Sequence, residues 1–352
     1  MIELLSRLSK LKLLQGAMGI GVSLSKLVAA VANEGGLGII SAAGVGLSEK
    51  DFSKNFYSSN VEALGKEIRK TRELTEGVLG VNIMFALSNF SDMVKISIKE
   101  GIDVIFVGAG MCLDLPSYLV AGSKTKLAVI VSSARGARLI CQKWLNRFGY
   151  LPDAIVVEGP AAGGHLGFSI QQLDDPALTL EKIIVDVVNE VRAFADRKII
   201  PVIAAGGIYT GAHIKKFLDL GAAGVQMATR FVTTHECDAD KRFKQAYIDA
   251  KKEDIIIIKS PVGMPGRAVR NKFLDEVAEG KWKPKGCAYR CIKTCDGVNS
   301  PYCIMRALVN AVQGNFDRGF AFAGANAYLA EKIISVKELM ATLRQEYESA
   351  CQ

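Results

Sequence analysis

The chain has 352 residues, 49% of them apolar and 23% charged, with 34 glycines and 9 prolines, which is the make-up of a folded α/β protein and excludes disordered and low-complexity classes. Its net charge is +8. The basic excess is scattered, with one dense stretch at 281–293, and no basic stripe interleaved with aromatics of the kind that nucleic-acid binding requires.

At the N-terminus no charged segment leads into an apolar run with a small-residue cleavage site, and no apolar run approaches the roughly 20 residues that span a bilayer. A soluble, cytoplasmic protein is expected, with no membrane and no nucleic-acid partner. Moving along the chain, short β-branched runs alternate with amphipathic stretches over the first 250 residues. Candidate strands fall at 12–15, 37–41, 79–83, 104–107, 128–132, 154–158, 201–205 and 224–228. Helical patterns fall at 24–33, 91–99, 135–147, 180–196 and 211–220. Several strands are unbroken apolar runs, which belong to parallel sheets covered on both faces.

Eight such repeats predict a TIM (β/α)8 barrel, with an open doubly wound sheet as the competing architecture. The glycines favour the barrel. Gly16, Gly44, Gly108, Gly163, Gly164, Gly206 and Gly207 all follow strand ends, which in a barrel converge on one mouth. After residue 250 the alternation stops. Residues 1–250 are therefore expected to form the barrel, and 251–352 a mostly helical C-terminal extension packed on it, closed by a helix near 331–347.

Five strand ends carry chemistry. The run Ala204-Ala-Gly-Gly-Ile208 leaves the seventh strand, and Gly224 to Arg230 covers the eighth. Barrels commonly bind a phosphate between these two loops on backbone N–H groups, with glycine allowing close approach and Thr229 offering a hydroxyl. A tight packing turn is the plainer account of the same residues. After the sixth strand comes Glu158-Gly-Pro-Ala-Ala-Gly-Gly-His165. An imidazole on a glycine-rich mouth loop can move a proton near neutral pH; spacing alone equally allows a histidine that hydrogen-bonds its own loop. His213 and His235 fall on or near helices, where surface roles are expected. At the first and third strand ends, Gln15 to Gly19 would run beside a flat ring, and Asn82 offers a donor and an acceptor to a heterocycle edge.

Taken in order, Gln-Gly-Ala-Met at 15–18, Gly-Gly-Leu-Gly at 35–38, Gly-Val-Asn-Ile-Met at 80–84, the Gly-Gly-His segment, Ala-Ala-Gly-Gly-Ile and Gly-Val-Gln-Met-Ala-Thr-Arg-Phe resemble the nitronate monooxygenase (2-nitropropane dioxygenase) family, close to the FMN-dependent enoyl-acyl-carrier-protein reductases. The resemblance covers about residues 10–340. It implies FMN in the barrel mouth, with Gln15, Gly16, Ala17, Met18 and Asn82 at the isoalloxazine. Glu158, Gly163, Gly164, Gly206, Gly207, Gln226, Met227, Ala228 and Thr229 would bind the rest of the cofactor. His165 would be the catalytic group over the reactive face. Two positions depart from the family pattern: Ala228 stands where many members have glycine, and Pro160-Ala161 replaces a more polar pair.

The leading expectation is an oxidoreductase that oxidises alkyl nitronates with O2. The alternative is NAD(P)H-dependent enoyl reduction, with an acyl carrier protein meeting Lys281, Lys283, Lys285, Arg290 and Lys293. A third reading is a flavin- or phospholigand-binding barrel without turnover. The expected partners are a small-molecule substrate and a second copy of the chain as a homodimer. Finally, Cys287, Cys291, Cys295 and Cys303 crowd into one stretch at spacings x3, x3 and x7. They would share a face if 287–295 were helical, as thiols in a packed extension or as ligands for zinc or an iron–sulfur cluster; no metal is assigned to them.

Overall fold

The computed structural model describes residues 1–49, 55–283, 286–287 and 289–352. Eight parallel strands close a barrel: β1 (Leu13–Gln15), β2 (Leu37–Ser41), β3 (Leu79–Met84), β4 (Val104–Gly108), β5 (Lys126–Val131), β6 (Ala154–Glu158), β8 (Val202–Ala205) and β9 (Gly224–Met227). Closure comes from β9 pairing with β1 in parallel, Leu14 opposite Gln226. The two-residue β7 (Gly164–His165) stands outside the barrel, between β6 and β8 in the chain. The barrel expected from the sequence is the one observed.

Around it run α2 (Ser25–Asn33), α3 (Phe56–Leu74), α4 (Phe90–Lys99), α5 (Ala134–Phe148), α6 (Leu180–Arg192) and α7 (Gly211–Asp219), while α1 (Ile2–Ser6) lies under the barrel. In α6 the buried positions are Leu180, Ile183, Ile184, Val187 and Val191, a stripe at helical spacing that seals one face against the strands. Ser133 caps α5 by accepting the Gly136 N–H, and Gly149 ends it in the left-handed conformation at φ 61°. After β4 there is no full helix, only a short turn at Leu115–Tyr118 with Pro116 as its second residue.

Two apolar layers result. One lies between strands and helices. The other fills the barrel with Leu14, Leu37, Ile39, Phe106, Val156 and Ile203, and Met1, Leu5 and Leu8 close it from below. The lower end is therefore plugged, and chemistry is left to the upper mouth.

Beyond β9 come α8 (Thr229–Val232), α9 (Lys241–Ile248), β10 (Ile255–Lys259), β11 (Pro265–Val269), α10 (Lys272–Ala278), α11 (Ile304–Val312) and α12 (Val336–Ser349). The antiparallel pair β10–β11 captures β7, giving a three-stranded sheet over the mouth. The final helix α12 packs against α7 and α2, so the outer ring is completed from the end of the chain. Residues 287–295 are not helical: the described part of that stretch is an irregular loop with one bridge, Ile292 to Leu87. Within it the Arg290 N–H donates to Cys287 Sγ at 3.3 Å and the Lys293 N–H to the Ala86 carbonyl at 3.0 Å. Among the described residues no helix is long and apolar enough to cross a membrane.

The α7–α12 contact is very close. A Cβ on Gly211 would lie 2.2 Å from the Tyr347 nitrogen and 2.3 Å from the Leu343 oxygen. Gly211→Val should therefore push α12 off the ring and cost about 1–3 kcal/mol or more. A urea midpoint unchanged from the wild type would show that the helix docks elsewhere in solution.

Candidate active site

The site is assembled where the loops after β1, β6, β8 and β9 meet the extension. The β6 and β8 loops touch: a Cβ on Gly206 would sit 3.1 Å from both the Gly159 oxygen and the Ala162 nitrogen. Gly206 and Gly207 have φ of 99° and 77°, a region open to glycine and strained for other residues. From the extension, the Asn326 side chain donates to the Gly207 carbonyl at 2.7 Å, and the Gly324 N–H donates to Thr229 Oγ1 at 3.1 Å.

Two adjoining cavities open here. The first, a cleft of about 970 Å3 that includes open solvent, is lined by Gly16, Ala17, Met18, Gly164, Gly206, Gly207, Met227, Ala228 and Thr229. The second, about 1070 Å3, holds Asn82 and His165. Glu158, Gly163, Ala17 and Gln226 face both, so they form the junction. Gln15 lines neither. It is fully buried in the barrel wall, where its amide donates to the Gly16 carbonyl and accepts the Ile39 N–H at 3.2 Å.

His165 is held from three sides. Its backbone pairs with Gly266 of β11. Its Nε2 lies 2.7 Å from the Ser260 hydroxyl, and its ring meets Phe322 edge-on at 4.9 Å. Arg267 secures the loop before it by donating to the carbonyls of Pro160 and Ala162. Burial lowers the imidazole pKa to about 4, so it is neutral at physiological pH. Burial pushes the Glu158 carboxyl the other way, up to about 7. The site thus places a neutral imidazole and a carboxyl poised to exchange protons along one cavity wall.

These opposed shifts have a consequence for stability. The folded chain binds the Glu158 proton more tightly than the unfolded chain, so this group makes stability fall as pH rises from 4.5 to 7. His165 binds its proton less tightly when folded, so it makes stability rise with pH between 4 and 6.5. The two slopes largely offset each other in the ligand-free protein. Glu158→Gln should unmask a rise with pH and His165→Asn a fall, each up to about 3 kcal/mol. Flat melting profiles in both variants would detach the slopes from these groups.

An anionic group fits the first cavity on the chemistry of its donors. Among the described residues the N–H groups of Gly206, Gly207 and Ala228 donate to no protein acceptor. They stand beside the Thr229 hydroxyl on the same cavity wall. Unserved N–H groups on a glycine turn are what a phosphate requires. At the junction and in the second cavity, the Gln226 and Asn82 amides likewise have no protein partner among the described residues, and they suit the polar edge of a heterocycle.

Sequence reasoning missed Ser260, Arg267, Phe322 and Asn326, all from the extension. Among the basic residues, Lys281 pairs with Glu279, and Lys293 lies over the Phe85 ring at 4.9 Å; Lys285 lies outside the described residues. His213 is half-buried on α7, where its Nδ1 accepts the Tyr209 N–H at 3.2 Å, and it lines neither cavity.

The chain is similar to known proteins over most of its length. A family model described as nitronate monooxygenase matches residues 3–346. The (3aS,4S,5R,7aS)-5-hydroxy-7a-methyl-1-oxo-octahydro-1H-indene-4-carboxyl-CoA dehydrogenase of Mycobacterium tuberculosis is 31% identical over 259 residues, which are 73% of this chain and 62% of that protein. A probable nitronate monooxygenase of Staphylococcus aureus is 29% identical over 295 residues, 74% of this chain and 75% of that one. FabK from Thermotoga maritima superimposes with a TM-score of 0.77 at 28% identity, covering 99% of this chain and 96% of that one. The chain thus spans 62% and 61% of the length of the two dehydrogenases it matches, from Mycobacterium tuberculosis and Rhodococcus jostii.

Proposed function

The chain belongs to the nitronate monooxygenase family, and from that membership we propose that it is an FMN-dependent oxidoreductase that oxidises alkyl nitronates with O2. The observation that carries this reading is the junction of the two cavities at Glu158 and Gln226. An anion cradle lies on one side and the His165 imidazole on the other. Bound FMN would supply the electron acceptor that links substrate oxidation to O2. Gly206, Gly207, Ala228 and Thr229 would hold its phosphate. Gly16, Ala17, Met18 and Asn82 would face the ring system, with Glu158, Gly163, Gly164, Gln226 and Met227 completing the walls. His165, neutral and backed by Ser260, would orient a nitronate anion or remove the α-proton of a neutral nitroalkane.

A second reading is NAD(P)H-driven reduction of an enoyl thioester. It is favoured by the apolar side of the second cavity, where Leu87, Ile130, Ile292, Ile304 and Leu308 offer more greasy length than a small nitronate needs. One experiment separates the two. The purified yellow protein is mixed anaerobically with ethylnitronate or with NADH and NADPH, and the flavin absorbance is followed. Bleaching by nitronate with slow or absent bleaching by the nicotinamides supports the first reading. Rapid bleaching by a nicotinamide and none by nitronate overturns it in favour of the second, and a chain that binds no FMN overturns both.

A further inference from the structure

A third cavity opens behind α11. One face of that helix gives Ile304, Met305 and Leu308 to the second cavity. The opposite face gives Arg306, Ala307 and Asn310 to the third, whose volume is about 1340 Å3 including open solvent. The two cavities share no lining residue. The third is lined by four cations, Lys281, Lys283, Arg306 and Arg318, and by no carboxylate. Lys281 pairs with Glu279. Lys283, Arg306 and Arg318 make no ion pair among the described residues, and like charges gathered on one wall repel until an anion relieves them.

The walls of this cavity are held in place by packing. An added Cβ on Gly319 would lie 2.1 Å from the Ala307 oxygen, so the chain at 318–319 is laid directly on α11. Asn310, one turn on from Arg306, donates its amide to the Arg318 carbonyl at 3.1 Å. The backbones that carry the two arginines are therefore side by side. Trp282 is fixed to α10: its Nε1 donates to Glu276 Oε2 at 2.8 Å and its ring meets Phe273 edge-on at 4.9 Å. Tyr302 lines the same cavity at 4% exposure, and its hydroxyl has no hydrogen-bond partner. A buried hydroxyl left unserved is costly, and a ligand oxygen against this wall would serve it.

An anchored indole beside unpaired arginines matches one chemistry. Nucleobases stack on aromatic faces, and phosphate oxygens take the forked donors of arginine. Three unpaired cations suit two phosphates better than one, since a single terminal phosphate carries about −1.5 to −2 near neutral pH. We propose that the third cavity binds a nucleoside diphosphate group, with its base against Trp282 and its phosphates between Lys283, Arg306 and Arg318. Such a ligand braces α11, whose other face lines the second cavity.

The site is independent of the flavin reading, and its test needs no turnover. The full chain as purified is titrated calorimetrically with ADP, adenosine and pyrophosphate. The expected result is saturable binding of one ADP per chain, with adenosine and pyrophosphate each about 10-fold weaker or more. No saturable ADP binding overturns the proposal, as does adenosine or pyrophosphate that binds as tightly as ADP. Arg306→Ala/Arg318→Ala should weaken ADP by about 10-fold or more. Both arginines are exposed, so this variant should melt like the wild type. Unchanged affinity in it would place ADP elsewhere and overturn the site. Trp282→Leu should weaken ADP and leave pyrophosphate as in the wild type. A control pair on α5, Lys143→Ala/Arg147→Ala, removes the same charge from exposed positions and should bind ADP normally. An equal loss in both pairs would mean general attraction to a basic chain and overturn the proposal. NADPH carries the same group. Displacement of ADP by NADPH assigns the site to the ADP half of a dinucleotide, and no displacement assigns it to the free nucleotide.

Discussion

Replacing His165 with alanine is expected to leave FMN binding intact and to lower turnover on a neutral nitroalkane by about 10^2–10^4-fold, the usual worth of a positioned general base. Binding should survive because His165 faces the second cavity and not the phosphate cradle. The loss on a pre-ionised nitronate should be much smaller, because the α-proton has already left and only orientation is forfeited. The geometry behind this split is the contact between Nε2 and the Ser260 hydroxyl at 2.7 Å. A hydroxyl both donates and accepts, so Ser260 satisfies either tautomer and leaves Nδ1 free to act as acceptor or donor. With the ring neutral at a pKa of about 4, the base form is fully present at pH 7. The measurement is kcat on both substrates alongside the flavin absorbance of the variant. Equal, small losses on the two substrates would remove His165 from proton transfer.

The parts of this site that the sequence discloses are those whose physical demand is local. A glycine that must adopt positive φ, as at Gly164, Gly206 and Gly207, shows itself in the residue type. Unbroken apolar runs show a strand covered on both faces, and their repetition shows the barrel. What stays hidden depends on distant partners. Ser260 lies 95 residues from His165 in the chain, and the link between them is a two-residue strand captured by β11, too short to leave a periodic pattern. Arg267 and Phe322 are equally silent, because nothing near them in the chain marks an edge of the mouth. Gln15 is the opposite case. It opens a conspicuous motif, yet strand register turns its amide toward Ile39 and into the wall. The cysteine spacing allows a helical face, whereas the described part of 287–295 is a loop in which Cys287 packs against Gly297.

The cradle yields the other large effect. Gly207→Val should weaken FMN binding by on the order of 100-fold or more while costing the apo-protein only about 1–2 kcal/mol, the strain of a left-handed residue. The two consequences have different origins. The backbone penalty follows from φ 77° and acts whether or not ligand is present. The binding loss follows from position: the Cβ would come within 2.8 Å of the Ala161 Cβ, so the β6 and β8 loops must part. Parting them moves the unserved N–H groups of Gly206 and Gly207 away from that of Ala228, and a phosphate held by several donors at once loses the set together. It also strains the Asn326 contact with the Gly207 carbonyl, through which the extension braces the turn. Asn326→Ala should show the milder form of the same defect, weaker FMN binding at nearly wild-type stability. Fluorescence titration with FMN, set beside the urea midpoint, separates binding from folding. A Gly207→Val protein that binds FMN like the wild type would place the phosphate elsewhere in the mouth. A variant that binds riboflavin normally but FMN poorly would locate the defect at the phosphate itself, since the two ligands differ only in that group.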